Sequence, residues 1–331
     1  MKVLRKSKIE VVLDRLAENA DIFVPMLRGQ MSGFFSWKSY DEDYDDLVLD
    51  QLNVYMPPKQ VVISPKEKIK IDLDGDSKEP ENRIIFGIRG CDLQGIDLLD
   101  EYFSTGSCES EFYRVRRDHT IIIANACYHP APSCFCTSMG VNPTDAPSAD
   151  VIIRDVGAVG YVWESHSQEG QVITEKIADL LEEKEVTIPE LLPFSLKVVY
   201  DGVMEKLKDM VAHPLWEKHS DACQTCGLCT YSCPTCYCFD IQGKKWGAEG
   251  YPFLCYDSCM DRDESMMAGE HNLRKAATER FRNRFLHKLQ FYPQRFGKPL
   301  CTGCGRCVAV CPSGASITKI ITEVKGADLS L

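Results

Sequence analysis

Eight cysteines of this chain fall into two copies of one pattern. The first reads Cys223-Gln-Thr-Cys226-Gly-Leu-Cys229-Thr-Tyr-Ser-Cys233-Pro234, the second Cys301-Thr-Gly-Cys304-Gly-Arg-Cys307-Val-Ala-Val-Cys311-Pro312. Each is a C-x2-C-x2-C-x3-C-P run, the spacing with which thiolates grip a cubane iron-sulfur cluster. Three thiolates within seven residues, on a tight loop with Gly227 or Gly305 at the matching position, reach three irons of one cubane. Backbone N-H groups of such a loop point at the sulfurs. The fourth cysteine is expected at a helix start, with the following proline stopping that helix from running backwards.

In two-cluster proteins the fourth cysteine of each run ligates the other cluster. The expected sets are Cys223, Cys226, Cys229 and Cys311 for cluster 1, and Cys301, Cys304, Cys307 and Cys233 for cluster 2. A pair of zinc sites is the rival, but zinc needs four ligands in total and leaves the third cysteine and the Cys-Pro, twice, without a reason.

Of 17 cysteines, nine remain. Cys91, Cys127, Cys134 and Cys136 suffice for a third cluster or a zinc site, against the plainer reading as small buried apolar residues. Cys236, Cys238, Cys255 and Cys259 form a second spare quartet, of which Cys236 and Cys238 lie close enough to Cys233 to shield a cluster from water and tune it. Cys108 has no visible partners.

The elements that must position these residues differ along the chain, since no cysteine precedes Cys91 and twelve lie between Cys223 and Cys311. A helix is expected from about Ser7 to Asn19, where Ile9, Val12, Leu13, Leu16 and Ala17 recur at helical spacing. Strands are expected at Gln60–Ile63, Lys68–Leu73, Arg83–Ile88 and Thr120–Ala124, each short and β-branched. Asp92–Phe103 has helical periodicity, so the last two strands frame a βαβ unit and put Cys91 and Cys127 at adjacent strand ends. Further strands are expected near Val151–Ile153 and Ala158–Trp163, and helices over Gln171–Glu185 and about Asp201–His213. The acidic Asp41–Asp46 reads as a solvated loop. The expected architecture is an α/β domain, 1–200, and a mainly α-helical domain, 201–331, holding two ferredoxin-type 4Fe-4S motifs with a long insertion between them.

That insertion ends in a basic helical stretch, about Asn272–Gln290, in which Phe281, Phe285 and Leu289 share one face. From 274 to 298 eight basic residues, Arg274, Lys275, Arg280, Arg282, Arg284, Lys288, Arg295 and Lys298, stand against Glu279 alone. Two readings are open: the stretch offsets the negative charge of nearby clusters, or it docks a partner subunit.

The chain has 331 residues, 44% hydrophobic and 26% charged, with a net charge of −11, an ordinary packed protein without the basic face of a nucleic-acid binder. No apolar run reaches membrane-spanning length, and the N-terminus has no secretory leader pattern, so a reducing cytoplasm is expected. No G-x-G-x-x-G follows a strand, no phosphate-binding G-x4-G-K-[ST] occurs, and no nucleophilic triad is visible, so catalysis by the chain alone is not expected. His213, His219, His271 and His287 read as structural hydrogen-bonders.

A longer set of phrases is more specific: Cys226-Gly-Leu-Cys229 through Cys233-Pro-Thr-Cys236-Tyr-Cys238-Phe-Asp240, Tyr256-Asp257-Ser258-Cys259, Ala268-Gly269-Glu270-His271-Asn272-Leu273-Arg274, Arg282-Asn-Arg284-Phe-Leu-His287-Lys288 and Gly303-Cys304-Gly305-Arg306-Cys307. With Phe86-Gly-Ile-Arg-Gly-Cys91-Asp92-Leu93 and Ser133-Cys134-Phe-Cys136-Thr-Ser-Met-Gly140, the sequence from about residue 55 resembles the electron-transfer subunit of anaerobic sulfite reductase and the related β subunit of archaeal sulfhydrogenases. The resemblance implies an electron-transfer subunit with two 4Fe-4S clusters. It implies a relay between a partner subunit that binds FAD and oxidises NAD(P)H and a separate catalytic subunit. Anaerobic sulfite reductase is the first expectation, a nickel-iron (sulf)hydrogenase or another flavin-linked complex the alternative. One departure is Glu270, where the family more usually has glycine.

Two rivals of other classes remain: a zinc-stabilised scaffold without redox work, and an enzyme binding substrate beside a cluster on Cys91, Cys127, Cys134 and Cys136.

Overall fold

Short β-branched segments alternating with helical sequence build a sheet with crossover helices. The computed structural model describes residues 1–68, 81–105, 109–246 and 249–327. In chain order the strands of the first half are β1 (Lys2–Leu4), β2 (Asp21–Arg28), β3 (Met31–Ser36), β4 (Asp45–Leu47), β5 (Lys66–Lys68), β6 (Arg83–Ile88), β7 (Thr120–Asn125), β8 (Val151–Asp155), β9 (Tyr161–Ser165) and β10 (Leu181–Glu183). Its helices are α1 (Ile9–Ala17), α2 (Lys59–Val62), α3 (Gly90–Phe103), α4 (Glu111–Asp118) and α5 (Gln168–Lys176).

Among the described residues, all of these strands but β5 join one sheet in the order β10-β1-β9-β8-β7-β6-β2-β3, with β4 also on β2. The centre, β2, β6, β7 and β8, is parallel. Side chains alternate between its faces. Ile84, Phe86, Ile123, Val151 and Ile153 pack under α1 and α5, while Ile85, Ile88, Ile122 and Ile152 pack under α2 and α3. The first half is therefore α/β, with helices on both faces of a mixed sheet.

Two sequence expectations are corrected here. Gln60–Ile63 is not a strand: Gln60, Val61 and Val62 lie in helix α2, because Pro58 sits at its N-cap with φ −66° and ψ −10°, already helical, and Val61 and Val62 reach the core from there. The helix expected over Gln171–Glu185 stops at Lys176, and Leu181–Glu183 becomes β10, which closes the free edge of β1. The strand expected at Lys68–Leu73 lies outside the described residues beyond Lys68.

The second half carries α6 (Val203–Leu207), α7 (Leu215–Ser220), α8 (Leu228–Tyr231), β11 (Phe239–Trp246), β12 (Glu249–Tyr256), β13 (Met266–Met267), β14 (His271–Asn272), α9 (Ala277–Leu286), a π-helical turn His287–Phe291, α10 (Tyr292–Phe296), α11 (Arg306–Ala309) and α12 (Ile317–Gly326). It mixes helices with two hairpins, rather than being mainly helical. The long insertion supplies the hairpins, and β12 takes its third strand, β5, from the first half. Around α6, α7, α9 and α12 a second core forms from Val203, Leu207, Trp216, Phe281, Phe285, Leu289 and Ile320, with Phe135 of the first half inserted.

The fourth cysteine of each run is also corrected. Cys233 and Cys311 follow the one-turn helices α8 and α11 instead of starting helices. The third cysteines, Cys229 and Cys307, ride on those turns.

Candidate iron-sulfur centres

Gly227 and Gly305 cap α8 and α11 at φ 73° and 80°, a left-handed conformation that side chains oppose. This turn lets the second cysteine face the same space as the third. The two one-turn helices pack against each other. As a result Cys223, Cys226 and Cys229 of the first run line one cavity together with Cys311 of the second. Cys301, Cys304 and Cys307 line the next, together with Cys233 of the first run. The first set is nearer solvent, with Cys226 exposed, whereas Cys233 and Cys304 are buried.

Among the described residues no three His, Cys, Asp or Glu side chains are set closely enough to hold a single metal ion. Four thiolates on one zinc sit at about 2.3 Å from it. Here each set of four thiols lines a common volume, an arrangement that suits a cubane.

The walls are cationic on the inner side. Arg280, Arg284 and Lys288 recur every four residues and are all buried, at 7, 2 and 3% exposure. Arg284 lines both cavities, donating from Nε to the Cys229 Sγ at 3.1 Å and from a terminal nitrogen to the Cys229 carbonyl at 2.7 Å. Lys288 Nζ donates to Cys233 Sγ at 3.3 Å and to Thr235 Oγ1 at 2.8 Å. Arg280 spends its hydrogen bonds on the carbonyls of Met260, Arg274 and Lys275. For this face of the basic stretch, offsetting thiolate charge is the role the geometry displays. Elsewhere in the stretch Arg274 pairs with Glu264 and Lys298 with Glu101.

Protonation follows. Cys233 is held far below the usual thiol range by a hydrogen bond from Cys236, helped against burial by Lys288, Arg284 and Lys59. At Cys311 burial is outweighed by the Ser313 hydroxyl and by backbone N-H groups of 313–315, so this thiol too is lowered. Burial pushes Cys301 and Cys307 up and Cys304 up to about 12. Metal binding takes those protons, because the ligand is the thiolate.

Two buried polar atoms test the fit. Arg284 Nη1 and Thr302 Oγ1 have no hydrogen-bond partner among the described residues, and both residues line the second cavity. A buried donor left unmade costs about 1–3 kcal/mol. Both can donate to sulfur, so the residues present fit a cubane there.

The spare cysteines separate into two cases. Cys91, Cys127, Cys134 and Cys136 all line a third cavity. In the other quartet Cys238 bonds Cys259 and Cys236 bonds Cys233, while Cys255 lines a different, aromatic groove. Cys108 lies outside the described residues. His287 Nε2 meets the Tyr237 hydroxyl at 3.2 Å, a structural contact.

Sequence reasoning names Arg284 and Lys288 as members of a charge run and of the phrases that carry the resemblance, with no contact to a cysteine assigned to either. Their spacing from Arg280 was the available signal for a buried cationic stripe. Thr302 and Lys59 carry no such signal, and Asp92 and Arg306 stand in the resemblance phrases with nothing in the sequence to show that they pair.

A family model described as a 4Fe-4S dicluster domain matches residues 222–315. The chain is 30% identical to sulfhydrogenase 2 subunit beta of Pyrococcus furiosus over 94% of each chain. No solved structure matches it significantly. A spacing of eight cysteines that the fold gathers around two cavities, with similarity running through both halves, makes this chain a member of the sulfhydrogenase β-subunit family of iron-sulfur electron-transfer proteins.

Proposed function

We propose that the chain is the electron relay of a multisubunit flavin-linked complex, ligating one 4Fe-4S cluster through Cys223, Cys226, Cys229 and Cys311 and another through Cys301, Cys304, Cys307 and Cys233. The observation that carries this reading is the exchange of the fourth cysteine: each cavity is lined by three thiols of one run and one of the other. Such clusters supply one-electron transfer at potentials set by burial and hydrogen bonding to sulfur. The chain's own residues hold the two sets side by side on α8 and α11, exclude water with the Phe281–Phe285 core, and place Arg284 between them.

In this reading FAD and NAD(P)H belong to a partner subunit, because the sequence has no dinucleotide loop, and Cys226, exposed at the surface, marks a side from which a redox partner is reached. Residues 1–200 act as one domain and 201–331 as the other, in a reducing cytoplasm. No described helix is long and apolar enough to cross a membrane. Among catalytic partners a sulfhydrogenase assembly is favoured over anaerobic sulfite reductase, since the named relative is a sulfhydrogenase subunit.

The test is Cys304→Ser in the anaerobically purified complex. The expected result is loss of about four irons per chain and of electron flow from NAD(P)H to the acceptor, with the fold retained. Unimpaired turnover, or zinc in place of iron and sulfide in the parent protein, overturns the relay. Assaying the parent complex with sulfite and with protons or polysulfide as acceptors decides the catalytic partner.

A further inference from the structure

The four cysteines outside the two runs that come together do so at the carboxyl ends of neighbouring parallel strands. Arg89-Gly90-Cys91 leads from β6 into α3, and Ala126-Cys127 leaves β7. Open α/β sheets place their ligands at this edge. Cys134 and Cys136 arrive on a loop pinned to the second cysteine run, with Phe135 N donating to the Gly303 carbonyl at 2.8 Å and Cys134 Sγ to the Cys304 carbonyl at 3.6 Å. Asn53 Nδ2 lies 3.7 Å from the Cys134 sulfur as a donor.

The space these thiols enclose matches that of the other two sites. It is about 20 Å3, against about 20 and 10 Å3 for the cavities lined by the two runs. Four thiols lining one small cavity are the arrangement found at each of the other two sites. The walls include Arg89, a cation beside groups that become negative on ligation, and Arg306 in its ion pair with Asp92. As at the other sites, the thiols are not set closely enough for one ion.

We propose that Cys91, Cys127, Cys134 and Cys136 ligate a third 4Fe-4S cluster, placed next to cluster 2 through Cys304, which lines both cavities. Ligation replaces four S-H bonds by four S-Fe bonds and releases four protons to solvent. The electron path then extends from the exposed side of cluster 1 through the interior to the sheet edge of the first half. The serial arrangement rests on the relay reading above; the site itself does not.

The test counts iron, acid-labile sulfide and zinc on the full chain purified without oxygen, with low-temperature EPR of the dithionite-reduced protein. The expected result is about twelve irons and twelve sulfides per chain. Cys127→Ser/Cys134→Ser is expected to lose about four of each and one paramagnetic component, with the signals lost in Cys226→Ser retained. About eight irons in the parent, unchanged in Cys127→Ser/Cys134→Ser and reduced in Cys226→Ser, overturns the third cluster and leaves the two-cluster relay standing. A zinc that disappears in Cys134→Ser also overturns it. Absence of sulfide overturns both readings.

Discussion

Arg284 is a guanidinium with 2% exposure whose donors point at Cys229, and an ion so placed acts on the energy of the reduced state. Adding an electron adds negative charge, which a neighbouring cation stabilises. A charge-assisted hydrogen bond is worth about 1.5–3 kcal/mol, and a one-electron couple moves about 59 mV for each tenfold change in equilibrium. Arg284→Gln is therefore expected to make reduction of cluster 1 harder by about 60–130 mV, and Arg284→Lys by less. An EPR-monitored redox titration reads the shift, and an unmoved potential would show that Arg284 only packs. Glu270 sits at the other end of the scale of importance. In the loop between β13 and β14 it has φ 61°, next to Gly269 at 78°, so a residue with a Cβ occupies a left-handed position. That costs about 1 kcal/mol, and Glu270→Gly is expected to recover it as a raised Tm with unchanged iron content.

Elements enter through the two capping turns. Gly305 at φ 80° lies so close to the loop before Cys134 that an added Cβ would collide with the Ser133 carbonyl oxygen. Gly303 is as crowded, since an added Cβ would lie 2.6 Å from the Phe135 oxygen. These glycines let the 133–136 loop lie flat on the second run, so the strain and collision in Gly305→Ala are expected to cost about 3 kcal/mol or more. Anaerobic thermal unfolding measures it. Gly227→Ala meets the movable Tyr231 ring rather than backbone, and the smaller loss expected there distinguishes collision from φ strain. Along α9 and the π-helical turn after it the same i, i+4 spacing serves two purposes, with Phe281, Phe285 and Leu289 building the core and Arg280, Arg284 and Lys288 turned toward thiols and carbonyls.

At the scale of the molecule the two halves are tied by pairings far apart in sequence. β5 completes the β11–β12 hairpin, Lys59 reaches the Cys236 carbonyl at 2.7 Å, and the Tyr292 hydroxyl reaches the Leu98 carbonyl at 2.8 Å. The central tie is Arg306, which binds the Val54 carbonyl at 2.6 Å and both oxygens of Asp92, the pair 2 and 1% exposed. A buried pair is costly to break because the survivor is stranded. Arg306→Met is expected to lose about 3–5 kcal/mol and to loosen the first half from the second. Asp92→Leu/Arg306→Met, which leaves no stranded charge, is expected to regain most of it. Thermal unfolding of the two variants side by side checks this, and equal losses would remove the ion pair from the account.

What the sequence alone determined is what is local. A cysteine run of seven to eleven residues states its chemistry in its own spacing, and the alternation of Ile84 to Ile88 and Ile121 to Ala124 around a helical segment states a βαβ unit without reference to anything distant. The α/β first half was legible for that reason, whereas Gln60–Ile63 was misread because a preceding proline outweighed β-branched composition. Only the tertiary structure decided which cysteines outside the runs share a cavity, which face of the basic helix turns inward, and that residues 66–68 finish a sheet begun at residue 239. Each of those depends on the packing of segments up to about two hundred residues apart, and the gain from such contacts comes only after the chain has closed loops whose cost no single segment records.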